Sequence, residues 1–194
     1  MMKKTLPLLV LALSLFANEP NEKYLDDTKL DNSEINFFIG VDGSYNYQIA
    51  SESLDKSALG YSLYAGVPIY DFELIGKISN ATSNNLDLKS KSITFNIPIS
   101  GTGSRSVYMG FIGGSATATF NDSAKTNFGI IDKSNDGNFY GVHIGKRYKY
   151  SENFFSRMEF EYLKYNLQAK TNTTPTSVNL DNSFSFIYGL EYRF

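Results

Sequence analysis

The end of the chain constrains the fold more than any other stretch. Residues 182–194 read N-S-F-S-F-I-Y-G-L-E-Y-R-F. Successive side chains of an extended strand point to opposite faces. Phe184, Phe186, Tyr188, Leu190, Tyr192 and Phe194 therefore share one face, and Ser183, Ser185, Ile187, Gly189, Glu191 and Arg193 share the other. The first face is wholly apolar or aromatic; the second is mostly small or charged. A strand of a soluble sandwich would alternate in the same way, but it rarely ends on an aromatic residue with no polar tail. A lipid-facing band rimmed by aromatic side chains accounts for both features.

The same alternation recurs upstream. Phe37, Ile39, Val41, Tyr45, Tyr47 and Ile49 oppose Asn36, Gly40, Asp42, Ser44, Asn46 and Gln48. Leu59, Tyr61, Leu63, Ala65, Val67 and Ile69 form the next apolar face, followed by Phe72, Leu74 and Ile78 opposing Glu73, Lys77 and Ser79. Ile93, Phe95, Ile97 and Ile99 continue the pattern, as do Tyr140, Val142, Ile144 and Tyr148 opposing His143 and Arg147, and Met158, Phe160 and Tyr162 opposing Arg157, Glu159 and Glu161. Between 107 and 120 a strand is expected, but small residues from Ile112 to Ala118 blur its facing; a bulge or glycine kink near Gly113-Gly114 would explain the blur. Eight strands result. Short turns at Tyr70-Asp71, Gly101 to Arg105 and Ser151 to Asn153 alternate with polar links at 50–57, 80–87, 121–138 and 168–181. A transmembrane barrel with both chain ends on one side sorts its connections in this way. Several segments also exceed the roughly 9–11 residues a tilted strand needs to cross the hydrocarbon core. Trp is absent, so an aromatic girdle must come from Tyr and Phe, with Tyr45, Tyr47, Tyr148, Tyr162 and Tyr192 as candidates.

The final strand resembles the carboxy-terminal signal by which the barrel-assembly machinery recognises outer-membrane barrels, carried here by Tyr188, Leu190, Tyr192 and Phe194. Chain length, strand number and the terminal Phe together resemble the OmpA transmembrane domain and the OmpX/Ail type of small barrel. The likeness covers most of the chain and rests on pattern rather than on identical motifs. It implies an all-β, eight-stranded antiparallel up-and-down transmembrane barrel over 35–194. Such a barrel is expected as a monomer in the outer membrane of a Gram-negative bacterium, with both termini periplasmic and lipid and the assembly machinery as partners.

Met1 to Ala17 read as a secretory signal peptide. Lys3 and Lys4 form its positive start and Leu6 to Phe16 an apolar core too short to span a bilayer as a helix. Residues 18–34 are polar and acidic, a flexible periplasmic lead-in. Without the two signal lysines, sixteen of the eighteen basic side chains remain against twenty acidic ones, and no basic stripe is present. Nucleic acid is therefore not an expected partner. No cysteine occurs, so neither a lipid anchor on cysteine nor a disulfide is available.

An eight-stranded barrel is just wide enough to be filled by its own side chains. The inward face supplies Asp42, Glu73, Lys77, His143, Arg147, Arg157, Glu159, Glu161, Glu191 and Arg193. A salt-bridged plug is the expectation, because breaking a buried charge pair costs about 3–5 kcal/mol; an ion- or proton-conducting path is the competing reading. His143 is the sole histidine. It has no nucleophile at a spacing that would make it catalytic, nor companions that would make it a metal ligand. The chain is accordingly expected to be no enzyme, with no cofactor and no metal; a lipid-modifying activity centred on His143 is the weaker alternative. Gly101-Thr102-Gly103 has no helix behind it to receive a phosphate. The Asn-x-Ser/Thr matches at Asn80, Asn121 and Asn172 carry little weight in a bacterial chain. Function is expected in the outside links, above all 121–138 and 168–181, as adhesion-type contact with host or cell-surface ligands or as a role in envelope integrity. A narrow porin-like channel is the alternative.

Overall fold

The computed structural model describes residues 36–50, 57–100, 105–172 and 177–194. The expected signal peptide, the lead-in and most of the turn at 101–105 lie outside them. Eight strands form one closed antiparallel barrel in sequential order: β1 (Phe38–Ala50), β2 (Ser57–Ile69), β3 (Phe72–Thr82), β4 (Leu86–Ser100), β5 (Arg105–Phe120), β6 (Ser134–Lys149), β7 (Phe154–Lys170) and β8 (Ser177–Arg193). A short helix, α1 (Asp122–Phe128), sits between β5 and β6. The up-and-down connectivity is the expected one. Closure comes from β8, which pairs with β7 on one side and with β1 on the other, from Phe38 opposite Arg193 to Ala50 opposite Leu180. The backbone N–H of Phe194 extends that seam by donating to the carbonyl of Phe37 at 3.0 Å, while the two rings stack at 4.3 Å. Closure leaves no strand with an unpaired edge, as lipid requires.

The alternation read from the sequence settles as expected over the half of the barrel that carries the described chain ends. Ile39, Val41, Leu63, Leu74, Phe95, Phe111, Val142, Phe186 and Leu190 face outward. Asp42, Lys77, Asn96, His143, Arg157, Glu159 and Glu191 face inward and are buried. The aromatic candidates lie outward at the two rims: Tyr45, Tyr47 and Tyr162 at one, Tyr148 and Tyr192 at the other. Tyr162 donates its hydroxyl to Asn182 at 2.9 Å.

Three of the polar links are shorter than expected; the one at 50–57 lies almost wholly outside the described residues. β3 runs to Thr82 and β4 begins at Leu86, so the link read at 80–87 contracts to 83–85, shorter than the opposite turn at 150–153. The link at 121–138 contains α1 and yields its end to β6, and that at 168–181 gives most of its residues to β7 and β8. The cause is an inversion of polarity. Beyond the outward apolar band, Asp87, Lys89 and Lys91 on β4, Asp136 and Asn138 on β6, and Lys164, Asn166, Gln168 and Lys170 on β7 point outward. Leu86, Leu88, Ala118, Phe120, Leu167, Ala169 and Leu180 point inward and pack into one core with Phe139, Leu163, Tyr165, and Ala124 of α1. β7 has 17 residues, more than the roughly 9–11 that cross a bilayer. Its surplus continues past the band as an ordinary water-facing strand.

The expected bulge at Gly113-Gly114 is absent. The β4–β5 and β5–β6 ladders pass both glycines in register, and the shift in β4–β5 falls between Pro98 and Ser100. Small residues are present because the lumen is crowded there: a Cβ on Gly114 would meet the ring of Phe139 at 2.9 Å. A further irregularity was not read from the sequence. Around Asp181 the register of β8 slips against both neighbours, so that Leu180 and Ser183 both face inward.

The barrel lumen as the candidate functional site

The inward side chains of the membrane half assemble around rings laid over glycines. Tyr64 stands directly across the ladder from Gly40, Phe38 from Gly66, Tyr108 from Gly145 and His143 from Gly110. Each glycine leaves space that its partner's ring occupies; a Cβ on Gly145 would lie 2.5 Å from the Tyr108 ring and its hydroxyl. The rings in turn carry guanidinium groups. Arg157 lies 3.7 Å over Tyr64, Arg193 4.8 Å over Phe38 and Arg147 5.2 Å over Tyr108, within the range of cation–π attraction. Tyr64, Tyr108, Phe38 and Asn96 were missed as site residues. The inward parity of Phe38, Tyr64 and Asn96 was legible, and so were the glycines, but the facing of Tyr108 and the cross-strand pairing were not.

Eight of the ten charged or titratable residues expected in the lumen form two neutral quartets. In the first, Asp42 accepts from Arg157 at 3.1 Å and lies 3.7 Å from Lys77, and Arg157 reaches Glu159 at 3.5 Å. Tyr108 donates to Glu159 at 2.6 Å. In the second, Arg147 grips Glu73 with two parallel bonds of 3.0 and 2.8 Å and approaches Glu191 at 3.3 Å, while Arg193 joins the same two carboxylates. Each quartet holds two carboxylates and two cations. Forked Arg–carboxylate bonds fix geometry as well as charge, which suits a site that cannot relax into water.

His143 and Glu161 stand apart from both quartets. His143 shares a 2.7 Å hydrogen bond through Nε2 with the Asn96 carbonyl oxygen, and the Asn96 amide donates to Glu73 at 3.3 Å. That chain makes Nε2 the protonated nitrogen and leaves Nδ1 buried without a partner among the described residues. No group of three or more metal-ligating side chains occurs among the described residues. Glu161, opposite His143 in the β6–β7 ladder, is only 8% exposed and has no hydrogen bond or ion pair among the described residues. It borders a cavity of about 40 Å³ between the charged and apolar parts of the lumen, lined also by Lys77, Ser62, Ser90, Ser92 and Ser183.

At the far end, the two links expected to carry function are joined to each other. Ile130 bridges Thr171, Ile131 N–H donates to Lys170 C=O at 3.0 Å, and Asn172 N–H donates to Gly129 C=O at 2.9 Å. The Asp132 carboxylate accepts from Lys170 N–H at 2.8 Å. Asn121 is the N-cap of α1, its side chain accepting from Ala124 N–H at 2.9 Å and donating to the Asn84 carbonyl. Gly129, in the left-handed region at φ 63°, ends the helix. Of the three glycosylation-type matches, Asn80 lies within β3 and Asn121 is engaged as this cap; the third, at Asn172, runs into residues outside those described.

No protein-family model and no curated protein sequence matches the chain. Solved structures do. Neisserial surface protein A superposes with a TM-score of 0.65 at 18% identity, covering 83% of this chain and 100% of that one. The chain has the fold of a small outer-membrane β-barrel. Outer membrane protein H (OprH) of P. aeruginosa aligns with a TM-score of 0.54 at 20% identity, over 83% of this chain and 100% of that one. Ail, the attachment invasion locus protein of Yersinia pestis, aligns with a TM-score of 0.50 at 20% identity, over 83% and 99%. At these identities the likeness is one of fold, and it agrees with the OmpX/Ail-type architecture expected from the strand pattern.

Proposed function

We propose that this protein is a surface-interaction protein of a Gram-negative outer membrane, with both termini periplasmic and its far end outside the cell. The observation that carries the reading is the platform at that end. The link at 121–133 is hydrogen-bonded to Lys170, Thr171 and Asn172 in one surface, mounted on strands that continue beyond the lipid band around an apolar core. Binding sites commonly sit on connections held by a rigid scaffold. The platform presents Ile131 among polar and charged neighbours, a fit for contact with a host or cell-surface partner. The name of Ail, which speaks of attachment, supports the same class of role. The lumen is a plug on this reading, closed by the two quartets below and the apolar core above, and the protein is neither a channel nor an enzyme. Burial of His143 against Asn96 and the Tyr108 ring favours a structural histidine.

The test uses the absence of cysteine. A cysteine at Ser123 is expected to react with a membrane-impermeant maleimide on intact cells, and one at Glu152 only after the outer membrane is permeabilised. The reverse pattern would place the platform in the periplasm and end the surface reading. In planar bilayers the purified barrel is expected to be electrically silent; steady conductance would favour the narrow channel instead.

A further inference from the structure

The lumen's charge balance leaves one carboxylate over. Asp42 and Glu159 are matched by Lys77 and Arg157, and Glu73 and Glu191 by Arg147 and Arg193. Glu161 is a fifth carboxylate facing the same interior, and no fifth cation among the described residues forms an ion pair with it. Lys77 lines the same cavity but is already paired with Asp42. His143 cannot supply the charge cheaply, because a second ring proton would sit on the buried Nδ1, which has no hydrogen-bond partner among the described residues. A lone carboxylate at 8% exposure is costly unless something neutralises it.

The space beside Glu161 has the chemistry to do so. The cavity, about 40 Å³, is larger than the roughly 10–15 Å³ that admits a single water. Ser62, Ser79, Ser90, Ser92 and Ser183 point into it from β2, β3, β4 and β8, and none of their hydroxyls has a hydrogen-bond partner among the described residues. Ser62, Ser79 and Ser90 are successive partners across the β2–β3 and β3–β4 ladders, so their oxygens form a row along one wall. Hydroxyl and carboxylate oxygens are ligands for hard cations. One carboxylate, outside any group of three or more metal-ligating side chains among the described residues, matches a single positive charge rather than a divalent ion. The geometry points to a binding site for one small alkali cation inside the barrel, with Glu161 as the charged ligand and the serine row and enclosed water as neutral ones. The cation completes the electrostatics of the plug and is stored there, not passed through.

The experiment compares purified, folded barrel in sodium or potassium chloride with the same protein in choline chloride at equal ionic strength. The readout is the temperature at which the compact form is lost on an unboiled gel. A ligand that binds only the folded state raises that midpoint. Wild type is expected to gain on the order of 2–4 °C from sodium or potassium over choline. Glu161→Gln, which keeps the shape and removes the charge, is expected to show the same midpoint in all three salts. Equal responses of wild type and Glu161→Gln would overturn the proposal. So would a wild type indifferent to the salt that gains only on acidification, which would assign the balancing charge to a proton. If Glu161→Gln does not assemble, the double variant Ser90→Ala/Ser183→Ala, which alters no charge, takes its place: a weakened alkali response supports the site and an undiminished one overturns it. None of these results bears on the surface reading, which the cysteine labelling decides.

Discussion

The two halves of this barrel solve the same packing problem with opposite chemistry. In the half that meets lipid, the outside is apolar and the inside holds quartets of charge stacked on aromatic rings. In the far half, the outside carries Asp87, Lys89, Lys91 and Lys164, and the inside is a core of Leu, Ala, Phe and Tyr. A single strand crosses between the regimes, in register with β6 throughout their ladder. β7 passes from Arg157, Glu159 and Glu161 to Leu163, Tyr165 and Leu167 on one unbroken inward face. The difference teaches that the solvent outside sets the chemistry within. Lipid gives no return for burying more apolar surface, so the membrane half spends its apolar side chains outward and closes its lumen with hydrogen-bonded charge. Water does give that return, and the far half builds a conventional hydrophobic core.

The comparison predicts graded effects. The largest is expected inside the membrane half. Arg157→Ala strips a cation from Asp42 and Glu159 together and should cost about 3–5 kcal/mol, enough to abolish the heat-modifiable band in outer-membrane fractions. A band that survives unchanged would mean that the quartets contribute little. The boundary between regimes is probed on one face of β4, four residues apart. Phe95→Lys puts a charge in the lipid band at a cost of roughly 2–4 kcal/mol. Lys91→Leu, in the water-facing stretch, should stay within about 0.5 kcal/mol. Folding into vesicles across a urea series measures both, and equal effects would erase the inferred boundary. Gly145→Ala forces Tyr108 off its glycine and should cost about 1–3 kcal/mol in the same titration. The smallest effect is a gain. Tyr70 turns between β2 and β3 in the left-handed region at φ 55°, so Tyr70→Gly should stabilise by about 1 kcal/mol without altering the lumen.

Much of the membrane half was legible in advance, because a two-residue period marks which side chains meet lipid and leaves the others to fill the lumen. All ten expected lumen residues face inward, and the terminal Tyr188, Leu190, Tyr192 and Phe194 face outward on the strand that closes the barrel. The far half was misread for the same reason. There the polar residues of the period lie outside and the apolar ones inside, so a reading tuned to apolar-outward strands took Asp87 and Lys170 for loop and shortened the strands around them. The blur in β5 was likewise a packing effect, glycine making room for Phe139, and not a break in the ladder.

What the sequence determined by itself was therefore the local rule: extended strands of alternating polarity, eight of them, ending on an aromatic residue. That rule depends only on neighbours along the chain. The tertiary structure alone decided which carboxylate meets which guanidinium, which ring rests on which glycine, and that Glu161 is left facing a serine-lined cavity. Those relations join residues such as Asp42 and Arg157, 115 positions apart. They exist only once β8 has closed on β1 and the curvature of the barrel has brought its inner faces together.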